Sequence, residues 1–451
     1  MSETPVKILI ANRGEIALRI LRACRMLGLP SIMVFSEADR DTLPVRLAKE
    51  AICIGSAPAS DSYLKADRII AAAELTGATA IHPGYGFLAE NPRFAEICSD
   101  CGLTFIGPSA EAIELPGDKA AAKTTMQKAG VPVVPGSDGV VASEAEAAHL
   151  AQKIGYPVIL KAVSGGGGKG MRVAADAGQL PDAFQTAAAE AKAGFGDASL
   201  YLEKYIVAPR HVEVQILADK FGNVLCLGER DCSLQRRHQK VVEESPCAIL
   251  PDDVRKKMYK AACNAVQAAK YVGVGTVEFL FEPSTKNFYF MEMNTRLQVE
   301  HPVTEMVWGI DLVAAQIRVA LGEKLPWKQS ELQPCGHAIE VRVNAEDPAR
   351  DFAPCPGKVD FFHVPGGPGV RVDSHLYEGY VVPPFYDSLL AKLIVHGDNR
   401  ELARRRAVCA LEELTIEGVT TTAEFARALL ENEKFVRGDF HTGTLQELLQ
   451  Q

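Results

Sequence analysis

The sequence predicts an α/β fold (α+β overall), in which an N-terminal parallel sheet is followed by further mixed regions. Three observations carry this prediction. Short apolar strands alternate with amphipathic helices over roughly the first quarter of the chain, as in βαβ units. A glycine-rich loop then lies between two strand patterns near residue 165. Finally, strand patterns at 276–282 and 288–294 flank a five-residue turn, which predicts a β-hairpin.

The chain has 451 residues, more than one hydrophobic core usually serves, so two or three domains are expected. Its net charge of −9 argues against general affinity for nucleic acid. We find no apolar run long enough to span a membrane and no signal peptide. The eleven cysteines are scattered singly, apart from Cys98 and Cys101, and are expected to be reduced thiols of a cytoplasmic protein.

The first region begins with a strand at 6–11, which turns through Asn12-Arg-Gly14 into a helix at 15–27. The pattern then alternates further strands and helices, expected at 31–35, 51–55, 62–76, 78–84, 92–101 and 103–108. This order predicts parallel strands. The first turn lacks the G-x-G-x-x-G fingerprint, which argues against NAD binding.

The turn His82-Pro-Gly-Tyr-Gly-Phe87 follows the carboxyl end of one of these predicted strands. Ligands bind at that edge of open α/β sheets, so Tyr85 is a candidate contact with a ligand. A tyrosine that merely packs within the turn explains the motif equally well. The residues themselves leave both interpretations open.

The second region begins at Gly117-Asp-Lys119 with a helix at 119–129, and residues 133–203 are expected to form a small α/β unit. Within it, a strand leads to the glycine loop 164–170, and a second strand follows directly. A dinucleotide fingerprint requires a helix there, and a Walker loop requires Ser or Thr after its lysine. We therefore expect a flap that closes over nucleotide phosphates, with a disordered linker as the alternative. Lys161 precedes the loop, the reverse of the kinase order, and could reach a phosphate.

Basic residues gather within a stretch of eleven positions that follows the flap: Arg230, Arg236, Arg237, His238 and Lys240. Such a cluster is usually a solvated face, but it could also attract a polyphosphate. Strand patterns surround it at 210–242, and a helix is expected at about 252–270.

The hairpin carries an unusual pair of acidic side chains. If Glu282 pairs with Phe288, the antiparallel register places Glu278 opposite Glu292, about 5 Å apart between Cβ atoms. Like charges so placed repel, and a hard divalent cation would reverse the sign of that interaction. Asn294 shares the face and could add an oxygen ligand. The alternatives are a solvated acidic face or one protonated carboxyl group.

Polar residues continue beyond the hairpin at every second position: Asn294, Arg296, Gln298 and Glu300. If the chain stays extended, these side chains line one groove, which is not a core pattern. A helix is expected from Thr304 to Leu321, followed by a linker at 325–336. The last region opens with a strand that places Glu340, Arg342 and Asn344 on one face, and it ends with a helix at about 400–414 and a helical tail.

Several motifs together resemble the biotin carboxylase family, an ATP-grasp family that includes the subunit of acetyl-CoA carboxylase. They are ANRGEIALRILRA, HPGYGFLAEN, GDK, GGGGKGM, RHVEVQ, ERDCSLQRRHQK, EMNTRLQVEHPVTE and EVRVNAEDP. The resemblance covers about residues 5–445. It implies a Rossmann-like domain at 1–115, an ATP-grasp domain at 116–325 with a mobile glycine-rich lid at about 133–203, and a C-terminal mixed α/β domain at 336–445.

The resemblance implies an ATP-dependent ligase that carboxylates biotin with bicarbonate by way of carboxyphosphate. This would be the first half-reaction of acetyl-CoA carboxylase, which commits carbon to fatty-acid synthesis. The implied partners are a biotin carboxyl carrier protein, the carboxyltransferase subunits and a second copy in a homodimer. The chain has no segment like Ala-Met-Lys-Met for biotin attachment, so we expect a stand-alone subunit with a separate carrier, or else a fragment of a longer chain.

The resemblance also assigns residues. ATP would be bound by Lys119, Lys161, Gly165, Gly166, Gly167, Gly168, Met171, Glu203, Lys204, Ile206, His211, Gln235, His238 and Leu280, together with Glu278 and Glu292. Mg²⁺ or Mn²⁺, expected as two ions, would be held by Glu278, Glu292 and Asn294. Bicarbonate would lie against Lys240, Arg296, Gln298, Val299 and Glu300, with Glu300 as the base. Biotin would lie against Tyr85, Gly86 and Arg342, with Arg342 stabilising its enolate form.

Two other classes of function compete with this interpretation. Another ATP-grasp ligase, such as a carbamoyl-phosphate-type enzyme, would share the flap and the acidic pair but should lack the RLQVEHP and EVRVNAED motifs. A non-catalytic nucleotide-binding protein should have lost a metal-binding glutamate or the base. Both motifs and all of these residues are present.

Overall fold

A computed structural model describes residues 5–117, 119–163, 171–237 and 239–450. Its N-terminal region contains a sheet of five parallel strands in the order β3-β2-β1-β4-β5, flanked by helices. The parallel sheet predicted from the sequence is thereby confirmed. The strands are β1 (Ile8–Ile10), β2 (Ser31–Ser36), β3 (Glu50–Gly55), β4 (Ala80–His82) and β5 (Thr104–Phe105), and the helices are α1 (Gly14–Met26), α2 (Leu43–Leu47), α3 (Ala66–Thr76) and α4 (Pro92–Asp100).

The turn after β4 is fixed by the turn after β1. The Asn12 amide donates hydrogen bonds to the carbonyl oxygens of Pro83 and Tyr85, each at 2.7 Å. Gly84 has a φ of +65°, and a Cβ there would meet Asn12 Nδ2 at 2.9 Å, so glycine is required. Tyr85 is therefore held at the carboxyl edge of the parallel sheet.

The lid region is a small three-stranded antiparallel sheet in the order β7-β6-β8, covered by two helices. Its second strand begins directly after the glycine loop, as the sequence predicted. The elements from the end of the first region onward are α5 (Ala110–Gly117), α6 (Lys119–Lys128), α7 (Glu144–Ile154), β6 (Val158–Ala162), β7 (Met171–Ala174), α8 (Leu180–Phe195) and β8 (Leu200–Lys204).

The central region supplies the strands that carry most of the predicted site. These elements are β9 (Arg210–Ala218), β10 (Val224–Arg236), β11 (Gln239–Ser245), α9 (Asp252–Ala268), β12 (Gly273–Glu282), β13 (Asn287–Asn294), α10 (His301–Trp308) and α11 (Leu312–Ala320).

The C-terminal region adds strands and a helical tail. They are β14 (His337–Asn344), β15 (Glu346–Asp347), β16 (Ala353–Pro354), β17 (Gly357–Lys358), β18 (Phe361–His363), β19 (Val370–Ser374), β20 (Val381–Val382), β21 (Leu389–Gly397), α12 (Arg400–Glu413), β22 (Thr415–Glu417), α13 (Ala423–Glu431), α14 (Glu433–Arg437) and α15 (Thr444–Leu449).

One antiparallel sheet of eight strands joins the central and C-terminal regions, in the order β13-β12-β9-β10-β11-β14-β21-β19. The two regions meet where β11 pairs with β14, from Val242 opposite Val341 to Ser245 opposite Ala338. Apolar side chains of one face pack against α12 and α13 at this junction. Among the helices that the structure describes, none has both the length and the apolar character needed to cross a membrane.

The prediction of one continuous helix from Thr304 to Leu321 is wrong, because the structure has two helices there. Gly309, with a φ of +66°, ends α10 in the left-handed conformation that favours glycine. Asp311 then caps α11 by accepting a hydrogen bond from the backbone N–H of Ala314 at 2.8 Å.

The hairpin register differs from the prediction at one end and agrees with it at the other. Glu282 pairs with Asn287 rather than with Phe288, so the predicted starting pair is wrong. A β-bulge at Met291 then shifts the register by one residue, and Glu278 lies opposite Glu292 as predicted. The bulge therefore places both glutamates on one face.

The expectation that the chain stays extended beyond Asn294 is also wrong. The strand β13 ends at Asn294, and α10 begins at His301. The polar side chains still gather, because the Arg296 guanidinium donates to Gln298 Oε1 at 3.1 Å and to Asn294 Oδ1 at 3.4 Å.

Candidate active site

A cavity of about 1710 Å³ opens between the N-terminal, central and C-terminal regions. Many of the residues that line it are polar or charged, which suits a phosphorylated ligand. Thirteen of the residues assigned from the sequence line it: Tyr85, Gly86, His211, Gln235, Lys240, Glu278, Leu280, Glu292, Asn294, Arg296, Gln298, Val299 and Arg342.

Neighbouring strands of the eight-stranded sheet build the cavity floor. Glu278 on β12 lies opposite Glu213 on β9, which in turn lies opposite Arg230 on β10. Because side chains alternate along a strand, this register places the three groups on one face. The Arg230 guanidinium donates to Glu213 Oε1 at 2.6 Å. Burial raises the pKa of Glu213, but Lys240 and Arg230 outweigh burial and lower it to about 2.

Lys240 is the centre of this charged floor. Its ammonium group lies 2.6 Å from Glu213 Oε2, 2.6 Å from Glu300 Oε1 and 3.4 Å from Glu278 Oε1. Burial lowers the pKa of Lys240, but the acidic side chains around it raise the pKa well above its ordinary value. The ammonium group is therefore charged and shared by three carboxylates.

Glu300 is fully buried beneath the floor, just before α10. Its Oε2 accepts a hydrogen bond from Arg342 at 3.0 Å, while Oε1 faces Lys240. Burial raises the pKa of Glu300, yet the net shift is downward because of the cations around it. Glu300 is thus ionised and able to accept a proton, and its basicity increases if Lys240 or Arg342 turns towards a bound anion.

Arg342 is oriented by a glutamate that the sequence did not single out. Its guanidinium donates to Glu243 Oε1 at 2.6 Å in addition to Glu300. Burial raises the pKa of Glu243 to about 7, although Arg342 opposes the rise. Arg342 itself stays charged, because the carboxylates raise its pKa and outweigh burial.

Arg296 is held from the N-terminal region. Its Nε donates to Glu90 Oε2 at 2.7 Å, and the other oxygen of Glu90 accepts from the backbone N–H of Thr295 at 3.2 Å. Such anchoring presents a planar guanidinium to the cavity in one orientation, as bidentate binding of a small planar anion requires.

The residues expected to hold a divalent cation have the chemistry for it. Glu278 and Glu292 face each other across the hairpin and line the cavity, and the Asn294 amide donates to Glu278 at 2.7 Å. Burial raises the pKa of Glu278, but Lys240 and His211 hold the pKa far below its usual range, so the carboxylate is ionised. Carboxylate oxygens beside a cavity that can hold a nucleotide fit Mg²⁺.

Glu278 also belongs to a buried group of acidic side chains that lies beside a cation of the protein itself. His211, Glu213 and Glu278 offer ligand atoms that all lie within 4.8 Å of one another. The Lys240 ammonium contacts both of these glutamates. The Lys240 charge therefore already offsets part of the negative charge of this group.

Other assigned residues lie in or beside the three-stranded sheet of β6, β7 and β8. Among the residues that the structure describes, these do not line the cavity. Lys161 lies opposite Met171 and contacts Glu203 at 2.8 Å. Lys204 donates to the carbonyl oxygens of Gly155 and Tyr156, and Ile206 is buried. Gly165, Gly166, Gly167, Gly168 and His238 lie outside the described residues, as does the side chain of Lys119.

Sequence reasoning missed several residues that organise the site: Glu15, Glu90, Lys123, Glu213, Glu243 and Lys392. Lys123 contacts Glu203 at 3.0 Å, which makes Glu203 the shared partner of two lysines. Glu213 had a signal, because it alternates with His211 on the strand RHVEVQ. The others contact residues far away in sequence, and no local pattern reveals them.

Comparison with known proteins agrees with this architecture. The family model of the biotin carboxylase N-terminal domain matches residues 4–113, and that of its C-terminal domain matches 340–447. The model of the carbamoyl-phosphate synthase L chain ATP-binding domain matches residues 118–328.

Individual proteins match over nearly the whole chain. A biotin carboxylase of Nostoc sp. is 56% identical over 442 residues, covering 98% of this chain and 99% of the relative. A pyruvate carboxylase subunit of Methanothermobacter thermautotrophicus is 53% identical, with 98% and 89% covered. The biotin carboxylase domain dimer of Hydrogenobacter thermophilus 2-oxoglutarate carboxylase, solved with MgADP, ADP and bicarbonate, has a TM-score of 0.89 at 47% identity, with 99% and 98% covered. Since the matches run through all three regions that wall the cavity, the chain belongs to the biotin carboxylase family of ATP-dependent ligases.

Proposed function

We propose that this ligase carboxylates biotin presented on a carrier protein, with carboxyphosphate formed from ATP and bicarbonate on the way. One observation carries the proposal: Glu300 is held between Lys240 and Arg342, directly beneath the floor of a cavity large enough for a nucleotide and a second substrate. A base beside two cations is what a reaction between anionic substrates requires.

In the first step, a bicarbonate oxygen attacks the γ-phosphorus of ATP, the bond to the β-phosphate oxygen breaks, and ADP leaves. Glu300 accepts the bicarbonate proton, while Lys240 and Arg296 neutralise the anions. Gln298 and Val299 complete the bicarbonate pocket. The nucleotide lies against His211, Gln235 and Leu280 and is covered by the lid, with Lys119, Lys161, Met171, Glu203, Lys204, Ile206, His238 and the glycine loop as its further contacts.

In the second step, carboxyphosphate divides into CO₂ and phosphate. The released phosphate takes the proton of the biotin ureido nitrogen, and that nitrogen then bonds to CO₂. Arg342 stabilises the enolate form of biotin as a fixed cation, and Tyr85 and Gly86 form the opposite wall.

Glu278, Glu292 and Asn294 would hold Mg²⁺ or Mn²⁺, as two ions. A bound divalent cation neutralises phosphate charge and makes the terminal phosphate easier to transfer. The Hydrogenobacter thermophilus relative was solved with MgADP, which supports Mg²⁺ as the ion.

We further propose that the chain acts as a homodimer and serves acetyl-CoA carboxylase, with a carrier protein and carboxyltransferase subunits as partners. The dimer of the Hydrogenobacter thermophilus relative supports the oligomeric state. The Methanothermobacter thermautotrophicus relative, which belongs to a pyruvate carboxylase, favours a second candidate in which pyruvate is the final acceptor. Purifying the chain with its natural partners and identifying the transferase distinguishes the two.

An ATPase assay with free biotin tests the proposed reaction. Fast release of phosphate should require ATP, bicarbonate and biotin together, and radiolabelled bicarbonate should appear in carboxybiotin. Turnover that ignores bicarbonate would contradict the proposal.

A further inference from the structure

A lysine that the proposed reaction steps do not use lies directly beneath the cavity. Lys392, on β21, has a fully buried side chain. Its ammonium group donates a hydrogen bond to the backbone carbonyl oxygen of Val299 at 2.8 Å. Val299 belongs to the pocket proposed for bicarbonate, and it lies next to Glu300.

The same ammonium group also reaches the opposite wall of the cavity. It lies 3.2 Å from Glu15 Oε1, and Glu15 accepts a hydrogen bond from the Tyr85 hydroxyl. Tyr85 belongs to the wall proposed for biotin. One chain of contacts, Val299–Lys392–Glu15–Tyr85, therefore connects the central, C-terminal and N-terminal regions.

Packing alone does not explain a lysine at this position. A buried ammonium group costs several kcal/mol unless it is paired, so a site that needed only volume would hold an apolar side chain. Burial lowers the pKa of Lys392, but Glu15, Glu340 and Asp373 raise it, and the net direction is upward. Burial raises the pKa of Glu15, although Lys392 opposes the rise. The Lys392 ammonium group can donate to Glu15 Oε1 whether the Glu15 carboxyl group is protonated or ionised.

The contact with Val299 fixes more than one atom. A peptide unit is planar, so fixing the Val299 carbonyl oxygen also fixes the direction of the Glu300 backbone N–H. It thereby sets how the chain enters α10, and hence where the Glu300 side chain starts. Errors of about 1 Å in such placement can cost on the order of 100-fold in rate.

We propose that Lys392 is a positioning residue that holds the bicarbonate side and the biotin side of the cavity at a fixed separation. This inference rests on the proposed function, because that function assigns the two substrates to the two walls. It predicts a selective defect: Lys392 contributes to the use of bicarbonate and biotin and not to the binding of nucleotide.

The test compares Lys392→Met with wild type in the ATPase assay with free biotin. We expect the KM for bicarbonate and the KM for biotin each to rise about tenfold or more, and kcat to fall, while the KM for ATP stays within about twofold. A role in stability alone would lower Tm and leave the three KM values in their wild-type ratio. Unchanged KM values for bicarbonate and biotin would overturn the proposal.

The single substitution leaves Glu15 without its cation, so a second variant guards against misfolding. Lys392→Met with Glu15→Gln removes both charged groups and retains the approximate volume. We expect this double variant to recover most of the Tm and to keep the high KM for bicarbonate. Recovery of the wild-type KM with the Tm would overturn the proposal. Lys358→Met, at an exposed lysine of the same region, is the matched control and should behave as wild type.

Wild type measured in parallel separates this inference from the function on which it rests. If wild-type turnover does not require bicarbonate and biotin, the proposed function fails and the positioning role fails with it. If wild type requires both and Lys392→Met shows no selective rise in their KM values, only the positioning role fails.

Discussion

Glu300 divides its two carboxylate oxygens between cations of two regions, Lys240 at 2.6 Å and Arg342 at 3.0 Å. The pairing keeps the carboxylate ionised and aims it at the cavity floor. Neither cation depends on Glu300 alone, because Lys240 also contacts Glu213 and Arg342 also contacts Glu243. Removing the Glu300 charge should therefore leave the floor in place.

We accordingly expect Glu300→Gln to abolish biotin carboxylation while the Kd for ATP changes by less than about threefold. The amide keeps the size of the side chain but cannot accept the bicarbonate proton. Isothermal titration with a non-hydrolysable ATP analogue measures binding, and radiolabelled bicarbonate measures carboxylation. A large loss of ATP affinity would mean that Glu300 serves the nucleotide instead.

At the residue scale, the predicted site residues include many that the structure brings to the cavity, but not the residues that hold them there. Arg342 and Val299 were predicted as site residues, whereas their partners Glu243 and Lys392 were not. Each partner lies 93 or more positions away in the chain. Pairing between distant positions depends on the fold as a whole, so no local pattern in one sequence predicts it.

Among the elements, the hairpin of β12 and β13 shows how a small irregularity serves the site. A one-residue change of register moves every later side chain to the other face of a strand. The extra residue at Met291 corrects the register set by the turn, so that Glu292 faces Glu278. The facing pair was predicted from the sequence, but no feature of the sequence indicates the bulge that produces it.

Glu292→Gln should raise the Mg²⁺ concentration that gives half-maximal ATPase activity by about tenfold, because one anionic ligand is lost. Circular dichroism should show an unchanged fold. Glu282→Gln is the matched control, since Glu282 lies at the turn end of the same hairpin and its side chain accepts from Thr285 at 2.6 Å. Equal Mg²⁺ dependence of both variants would argue against a metal at this pair.

Ion pairs of Glu244 connect β11 to two neighbouring elements. Glu244 lies 3.1 Å from His337 on β14 and 2.7 Å from Arg400 on α12. Burial raises the pKa of Glu244, but His337 and Arg400 outweigh burial and lower it from 4.5 to about 2. The folded-state pKa is thus below the unfolded one, so the stabilisation is complete above about pH 5 and is lost as the pH falls towards 2.

Glu244→Gln should therefore lower the free energy of unfolding by roughly 3 kcal/mol near neutral pH. The difference from wild type should shrink as the pH falls from about 5 towards 2, because the unfolded chain of wild type takes up a proton on Glu244 there while the folded protein still holds the carboxylate ionised. Urea unfolding of both proteins at a series of pH values measures this difference in the free energy of unfolding. Glu401→Gln, which removes a surface partner of Arg404 and Arg405, should change stability little and show a much weaker pH dependence, because solvent screens this exposed pair.

Element types were more predictable than their ends. Alternating apolar strands and helices identified the parallel sheet, and the strand after the glycine loop, MRVA, was predicted as such. The break between α10 and α11 was missed, although Gly309 and Asp311 are ordinary stop and start signals. Apolar residues continue on both sides of Gly309, so the two helices resemble one longer helix in the sequence.

At the scale of the whole molecule, the C-terminal region completes a sheet that the central region begins. Because β11 and β14 are hydrogen-bonded neighbours, the linker at 325–336 is not what holds the two regions together. A protease cut within that linker should leave two fragments that elute together in gel filtration and separate only in denaturant. Separation in buffer alone would show that the shared sheet contributes little to the association of the two regions.

The charged floor of the cavity affects which anions can bind in the site. Lys240 and Arg342 are already paired with Glu213, Glu243 and Glu300, so an anion that binds either cation must replace a glutamate as its partner. Simple salt anions gain little from such an exchange. A nucleotide that brings its own divalent cation also brings a partner for Glu278, which shares Lys240 with Glu213 and Glu300, so we expect it to enter at lower cost than a simple salt anion.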